Sequence, residues 1–222
     1  MKKILIYFIS LVLMASCSVK TNEEKARELI EPEIKANLVK PESYEFANMK
    51  LDSCFMDNGE LNPEALEFSV KVAKLYKEYK KYSSEAEDAE SSMTIYAPRY
   101  GYQSAHSKQQ YQKYKAEMEK AQRKAATAKE NILKLYKDNV KMWKDIASAK
   151  HEFTGWAAEF NYRAETAGGI KTMGSALIFL NKDLTEITHS FSSMDLSISN
   201  SELLQDFQYD FGEELKAIYQ NK

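Results

Sequence analysis

LNPEALEFSVKVAKLYKEYKKYSSEAEDAESSM, residues 61–93, is the stretch on which the fold turns. Its Asn62-Pro63-Glu64 opening suits a helix start, because Asn caps free amides and a first-turn Pro has no needed amide to lose. From there Leu61, Ala65, Phe68, Val72, Leu75, Tyr79, Tyr82, Ala86, Ala89 and Met93 recur at alternating spacings of four and three, which is a heptad seam. A second seam follows in Tyr111, Tyr114, Met118, Ala121, Ala125, Ala128, Ile132, Leu135, Asn139, Met142 and Ile146, with Ser107 and Gln110 as a capping-box start.

Folding these two helices back on each other around residues 94–105 gives a register in which facing positions sum to 207. Tyr82 then meets Ala125 and Tyr79 meets Ala128, large against small, as close interlocking requires. Phe68 opposite Asn139 is the polar exception. At about 1.5 Å per residue the arm would extend roughly 45–55 Å.

The flanks read differently. Ala26, Leu29, Ile30, Ile34 and Leu38 recur at helical spacing, but Pro32 removes a donor in mid-segment and predicts a kinked or broken first helix. In 44–55, Met49, Leu51, Ser53 and Phe55 alternate as in a half-buried strand. Beyond Lys150, Trp156, Ala158, Phe160 and Tyr162 alternate, Gly168-Gly169 offers a turn, and Met173–Leu180 is a short apolar run. Asn181-Lys182-Asp183 is a second turn, followed by Ile187, His189 and Phe191 in alternation. Leu204, Phe207, Phe211, Leu215 and Ile218 make one stripe of a last helix. The expected class is α+β: a small four-stranded antiparallel sheet packed with N- and C-terminal helices, with the long antiparallel coiled-coil hairpin inserted after the first strand. The body would comprise residues 23–56 and 147–222, and the arm 57–146.

The chain begins with Lys2 and Lys3, an apolar run Ile4–Met14, and small residues before Cys17, which reads as a signal peptide over residues 1–16. Met14-Ala15-Ser16-Cys17 resembles the bacterial lipoprotein box. The resemblance implies cleavage, acylation of Cys17 and membrane attachment through that lipid, with residues 17–22 as a tether. Ser18, not Asp, after the cysteine is similar to outer-membrane sorting patterns, so the expected location is the cell envelope, at the outer membrane.

Removing residues 1–16 takes away Lys2 and Lys3 and leaves 29 basic against 33 acidic side chains, a net charge of about −4. That balance argues against a general nucleic-acid partner. The 11 Lys and Arg against 5 Asp and Glu in residues 107–146 lie outside the seam and read as a solvated face. With Cys17 acylated, Cys54 has no cysteine left to pair with, and a buried strand position is expected for it.

Pro41-Glu42-Ser43-Tyr44-Glu45-Phe46 after a first helix, and Tyr162-Arg163-Ala164 shortly before Gly168-Gly169, resemble a group of bacterial lipoproteins with a small α+β domain and no assigned activity. The resemblance covers roughly residues 23–56 and 150–194. It implies a body of that kind carrying the hairpin as an insertion, and it brings no functional residue with it.

His106, His151 and His189 are scattered, with no HExxH, no cysteine pair and no phosphate loop, so no catalytic residue, metal or cofactor is expected. The hairpin turn carries Tyr96, Arg99, Tyr100 and Tyr102, residue types that anchor protein contacts at low entropic cost. A non-enzymatic envelope lipoprotein that touches another envelope protein through these residues is the leading expectation. A small-ligand module using Trp156, Phe160, Tyr162 and Arg163 on the sheet is the second. An enzyme built on scattered groups, with His151 or His189 beside a carboxylate, is the third.

Overall fold

The computed structural model describes residues 20–98, 104–199 and 202–220. They form two compact units, one from the described residues within 1–53 and 155–190, the other from those within 54–154 and 191–222. The class is α+β, with a four-stranded antiparallel sheet and a long helical hairpin inserted after the first strand.

In the first unit, helix α1 (Asn22–Ala36) starts at a reciprocal cap: Thr21 Oγ1 accepts from the Glu24 amide at 3.2 Å, and the Glu24 carboxylate accepts from the Thr21 amide at 2.8 Å. Of the kink or break expected at Pro32, the break does not occur, and α1 runs through it as one helix. Ala26, Ile30 and Ile34 form the buried stripe, whereas Glu28 and Pro32 are exposed. The Glu28 carbonyl, deprived of its helical donor, can therefore bond water.

Strands β1 (Glu45–Phe55), β2 (Phe153–Glu165), β3 (Lys171–Leu180) and β4 (Ile187–Ser192) lie in sequence order across the sheet. In the β2–β3 ladder Trp156 faces Leu180, Tyr162 faces Gly174 and Glu165 faces Lys171. Ala158, Phe160, Ala176, Ile178 and Leu180 pack with Ala26, Ile30 and Ile34 of α1 into one core. Gly174 is required here: a Cβ at that position would lie 2.4 Å from the Tyr162 ring, which occupies the space over its cross-strand partner. On β1 the single alternation expected for Met49 to Phe55 is incomplete. Tyr44 and Phe46, then Met49 and Leu51, reach the same core, so parity changes between 46 and 49 as it does at a bulge.

Both turns follow the sequence. Gly169 has φ +78°, and its amide donates to the Thr166 carbonyl at 2.9 Å. In the β3–β4 turn the Asn181 side chain accepts from the Thr185 amide at 2.9 Å, and Leu184 takes φ +56°.

In the second unit, helix α2 (Pro63–Ile95) is capped by Asn62, whose Oδ1 accepts from the Ala65 amide at 3.1 Å. Helix α3 (Ala105–Ser148) begins before the expected Ser107, because Ser104 takes the cap and accepts from the Ser107 amide at 3.0 Å. The two run antiparallel near the expected register. Lys124 Nζ lies 4.7 Å from the Tyr82 ring centroid, and Phe68 packs edge-on against Tyr136 and Trp143, which flank Asn139 on α3. Asn139 satisfies its own amide by donating to the Leu135 carbonyl at 2.7 Å, so the polar seam position costs little.

Two further helices complete this unit. Helix α4 (Ser193–Ser199) follows β4 directly and pairs with α2 through Lys74 and Asp195, 2.7 Å apart. The last helix, α5 (Glu202–Gln220), packs its stripe onto the hairpin: Phe207 and Phe211 share a core with Phe68, Val72, Tyr76 and Ile132. The reason is visible in the hairpin itself. Its base half carries apolar residues beyond the seam, with Val70, Ala73 and Tyr76 buried on α2 and Val140 on α3, and a two-helix arm would leave these in water. The base is thus a bundle of at least three helices, and among the described residues the distal half buries only the seam alanines Ala86, Ala89, Ala121 and Ala125.

Phe207→Ala is expected to cost about 3–5 kcal/mol in a urea titration, against less than about 0.5 kcal/mol for Tyr209→Ala. The contrast follows from burial, since Phe207 is 2% exposed and Tyr209, on the same helix, 91%.

Candidate functional site

Three places gather chemistry. The first is the hairpin turn. Tyr96 is the C-cap of α2, half-buried, and its ring stacks on Tyr114 at 5.7 Å with His106 edge-on at 6.4 Å. Its aromatic surface therefore closes the end of the helix pair, while the neighbouring Ile95 is 68% exposed. Arg99, Tyr100 and Tyr102 lie outside the described residues, as does Cys17.

The second is the sheet. Strand alternation puts Trp156, Phe160 and Tyr162 on the face covered by α1 and directs Arg163, which is exposed, to the opposite face. Phe160 is fully buried, Tyr162 stacks on Tyr44 at 6.2 Å, and the Trp156 indole donates to the Lys182 carbonyl at 3.1 Å. The four residues thus do not converge on one open surface. Cys54 is buried, 2% exposed.

The third is His151, at the junction before β2. Its Nδ1 lies 3.0 and 3.1 Å from the two carboxylate oxygens of Asp57, and its ring stacks on Phe55 at 4.0 Å. This is the His–carboxylate juxtaposition that an enzyme of scattered groups requires. The pair is open to solvent, with side chains 67% and 39% exposed, so water competes with any substrate and weakens its electrostatics. Among the described residues no group of three or more His, Cys, Asp and Glu is gathered at metal-binding distance.

A feature without a sequence signal of its own lies at the bundle base, where α3 and α5 enclose a groove of about 500 Å³. Tyr136, Val140 and Trp143 form one wall; Leu215, Ile218 and Tyr219 form the other, with Gly212 between the turns of α5. The Tyr136 phenol is pushed up to about 12 by burial. The Trp143 Nε1 is shielded from solvent with no hydrogen-bond acceptor among the described residues. A buried donor left unpaired costs about 1–3 kcal/mol, so this wall is not packed for greatest stability. Reading Tyr136, Val140 and Trp143 as a second stripe at spacings of four and three would have indicated a partner helix, though not an incompletely filled one.

A raised phenol pKa means that the folded state holds the neutral form. Stability from Tyr136 is complete below the ordinary tyrosine value of 10.0 and falls as pH rises from there towards about 12. Relative to the wild type, Tyr136→Phe is expected to retain about 1–2 kcal/mol more of its neutral-pH stability at pH 11.5. Urea titrations of both proteins at pH 8 and 11.5 measure that difference.

No protein-family model, curated protein or solved structure matches the chain.

Proposed function

We propose that this chain is a lipid-anchored protein of the bacterial cell envelope, held to the membrane through Cys17, whose helical hairpin presents its turn to another envelope protein. The N-terminal pattern of Lys2, Lys3, the apolar run and Ala15-Ser16-Cys17 supports the anchor. What carries the interaction reading is the distal half of the hairpin. Past Tyr79, which still touches Phe211, the buried positions of both helices up to the turn are alanines of their own seam. Among the described residues that length of helix makes no core for the rest of the unit, and it ends in an exposed Ile95 followed by a tyrosine-rich stretch of sequence. An exposed large aliphatic next to Tyr and Arg is the composition of a contact anchor.

Tyr114 supports Tyr96 from α3, so Tyr96 shapes the end of the pair, and Ile95, Arg99, Tyr100 and Tyr102 are the contacting residues in this reading. Binding there adds no catalytic demand and fits a chain without a catalytic or cofactor motif.

A photoreactive residue placed at Tyr100 in intact cells is expected to crosslink one defined envelope protein, and the same residue at Tyr162 is expected to capture none. Capture from position 162 alone would refute the assignment. So would identical, diffuse capture from both.

A further inference from the structure

The groove between α3 and α5 lies at the hairpin base, away from the turn, and the proposed function does not use it. We infer that it is a binding site for a small anionic amphiphile, a molecule with one apolar body and one negatively charged head. Three observations lead there.

The first is shape. At about 500 Å³ the groove falls within the range of small-molecule sites, and its walls are aromatic and aliphatic: Tyr136, Val140, Trp143, Leu215, Ile218 and Tyr219. An apolar body placed there is removed from water at about 25 cal/mol for each Å² buried.

The second is Gly212. Glycine within a helix costs about 1 kcal/mol relative to alanine. Two other glycines are explained by a close neighbour or a positive φ: at Gly174 a Cβ would strike the Tyr162 ring, and Gly169 has φ +78°. At Gly212 a Cβ would meet no atom within 4 Å, and φ is not positive. Neither packing nor backbone geometry asks for glycine. Its effect is to leave the groove open in the middle of α5.

The third is charge. Lys216 lines the groove, and Lys144 Nζ sits 5.4 Å from the ring of Tyr219, itself a lining residue that is 48% exposed. Glu213 pairs with Lys216 at 2.8 Å, but that pair is strongly exposed, with side chains 67% and 87% accessible, and so exchanges readily for another anion. Among the described residues no carboxylate lines the groove itself. Cations at the rim of an apolar groove complement an anionic head above an apolar body, and a neutral or cationic amphiphile gains nothing from them.

Trp143 provides the reporter, because Trp156 is the other of the two tryptophans. In Trp156→Phe protein, 8-anilinonaphthalene-1-sulfonate is expected to bind with about one-to-one stoichiometry and to quench Trp143 by energy transfer. Laurate should displace it, and dodecyltrimethylammonium at equal concentration should displace it at least tenfold less well. Gly212→Leu fills the groove while improving helix propensity, so it should fold at least as well by circular dichroism and lose binding at least tenfold. Gly59→Ala, at another glycine with open space around it, is the control and should bind unchanged. Undiminished binding in the Gly212→Leu protein would overturn the assignment, as would equal displacement by the cationic amphiphile. Dye uptake that appears only on dilution would place a second copy of the chain in the groove, and would overturn it too.

Discussion

The second unit depends on one aromatic contact set. Tyr76, fully buried on α2, meets Phe207 at 5.3 Å and Phe211 at 6.0 Å, while Tyr136 of α3 stacks on Phe207 at 5.7 Å. Burying two phenylalanines from α5 against a helix pair joins three helices through one core, and each such ring contributes several kcal/mol. Polar groups fix the orientation. The Tyr76 hydroxyl donates to Asp210 at 2.7 Å, and Lys129 pairs with Glu214 at 2.9 Å while its Nζ lies 5.3 Å from the Phe211 ring. Burial first, and Asp210 second, push the Tyr76 phenol up, so it stays a neutral donor through the physiological range.

The same contact set divides the hairpin energetically. Where α5 lies, large rings fill the core; beyond it the buried seam positions among the described residues are alanines, which bury little area. A seam whose buried members are alanines has low stability per turn. Such a pair would suit the proposed presentation of a turn, because it can adjust without disturbing the base. It also confines the groove beside Trp143 to the bundle, where a third helix supplies a second wall.

Much of this was legible in residues 61–93 and 107–146, because heptad spacing is a property of sequence alone. The Asn62-Pro63 start, the register near Phe68 and Asn139, and the strand alternation at Trp156–Tyr162 are all borne out by local geometry. Four things were not legible. Pro32 looked like a breaker because sequence does not show that its face of α1 is wet. The destination of Phe207 and Phe211 was ambiguous, since an apolar stripe states that a helix needs a partner and does not say which. The pairing of His151 with Asp57 spans 94 positions and has no local pattern. The groove lies deepest beyond reach, because it results from what α5 does not fill at Gly212.

Native-state hydrogen exchange tests the central division of the hairpin most directly. Amides of 68–76, 128–140 and 207–215 should exchange together and slowest, through global unfolding of the bundle. Those of 84–93 and 110–121 should open at least 2 kcal/mol more easily while the base stays closed. Uniform protection along both long helices would contradict this account, as would exchange of α5 ahead of the distal turns.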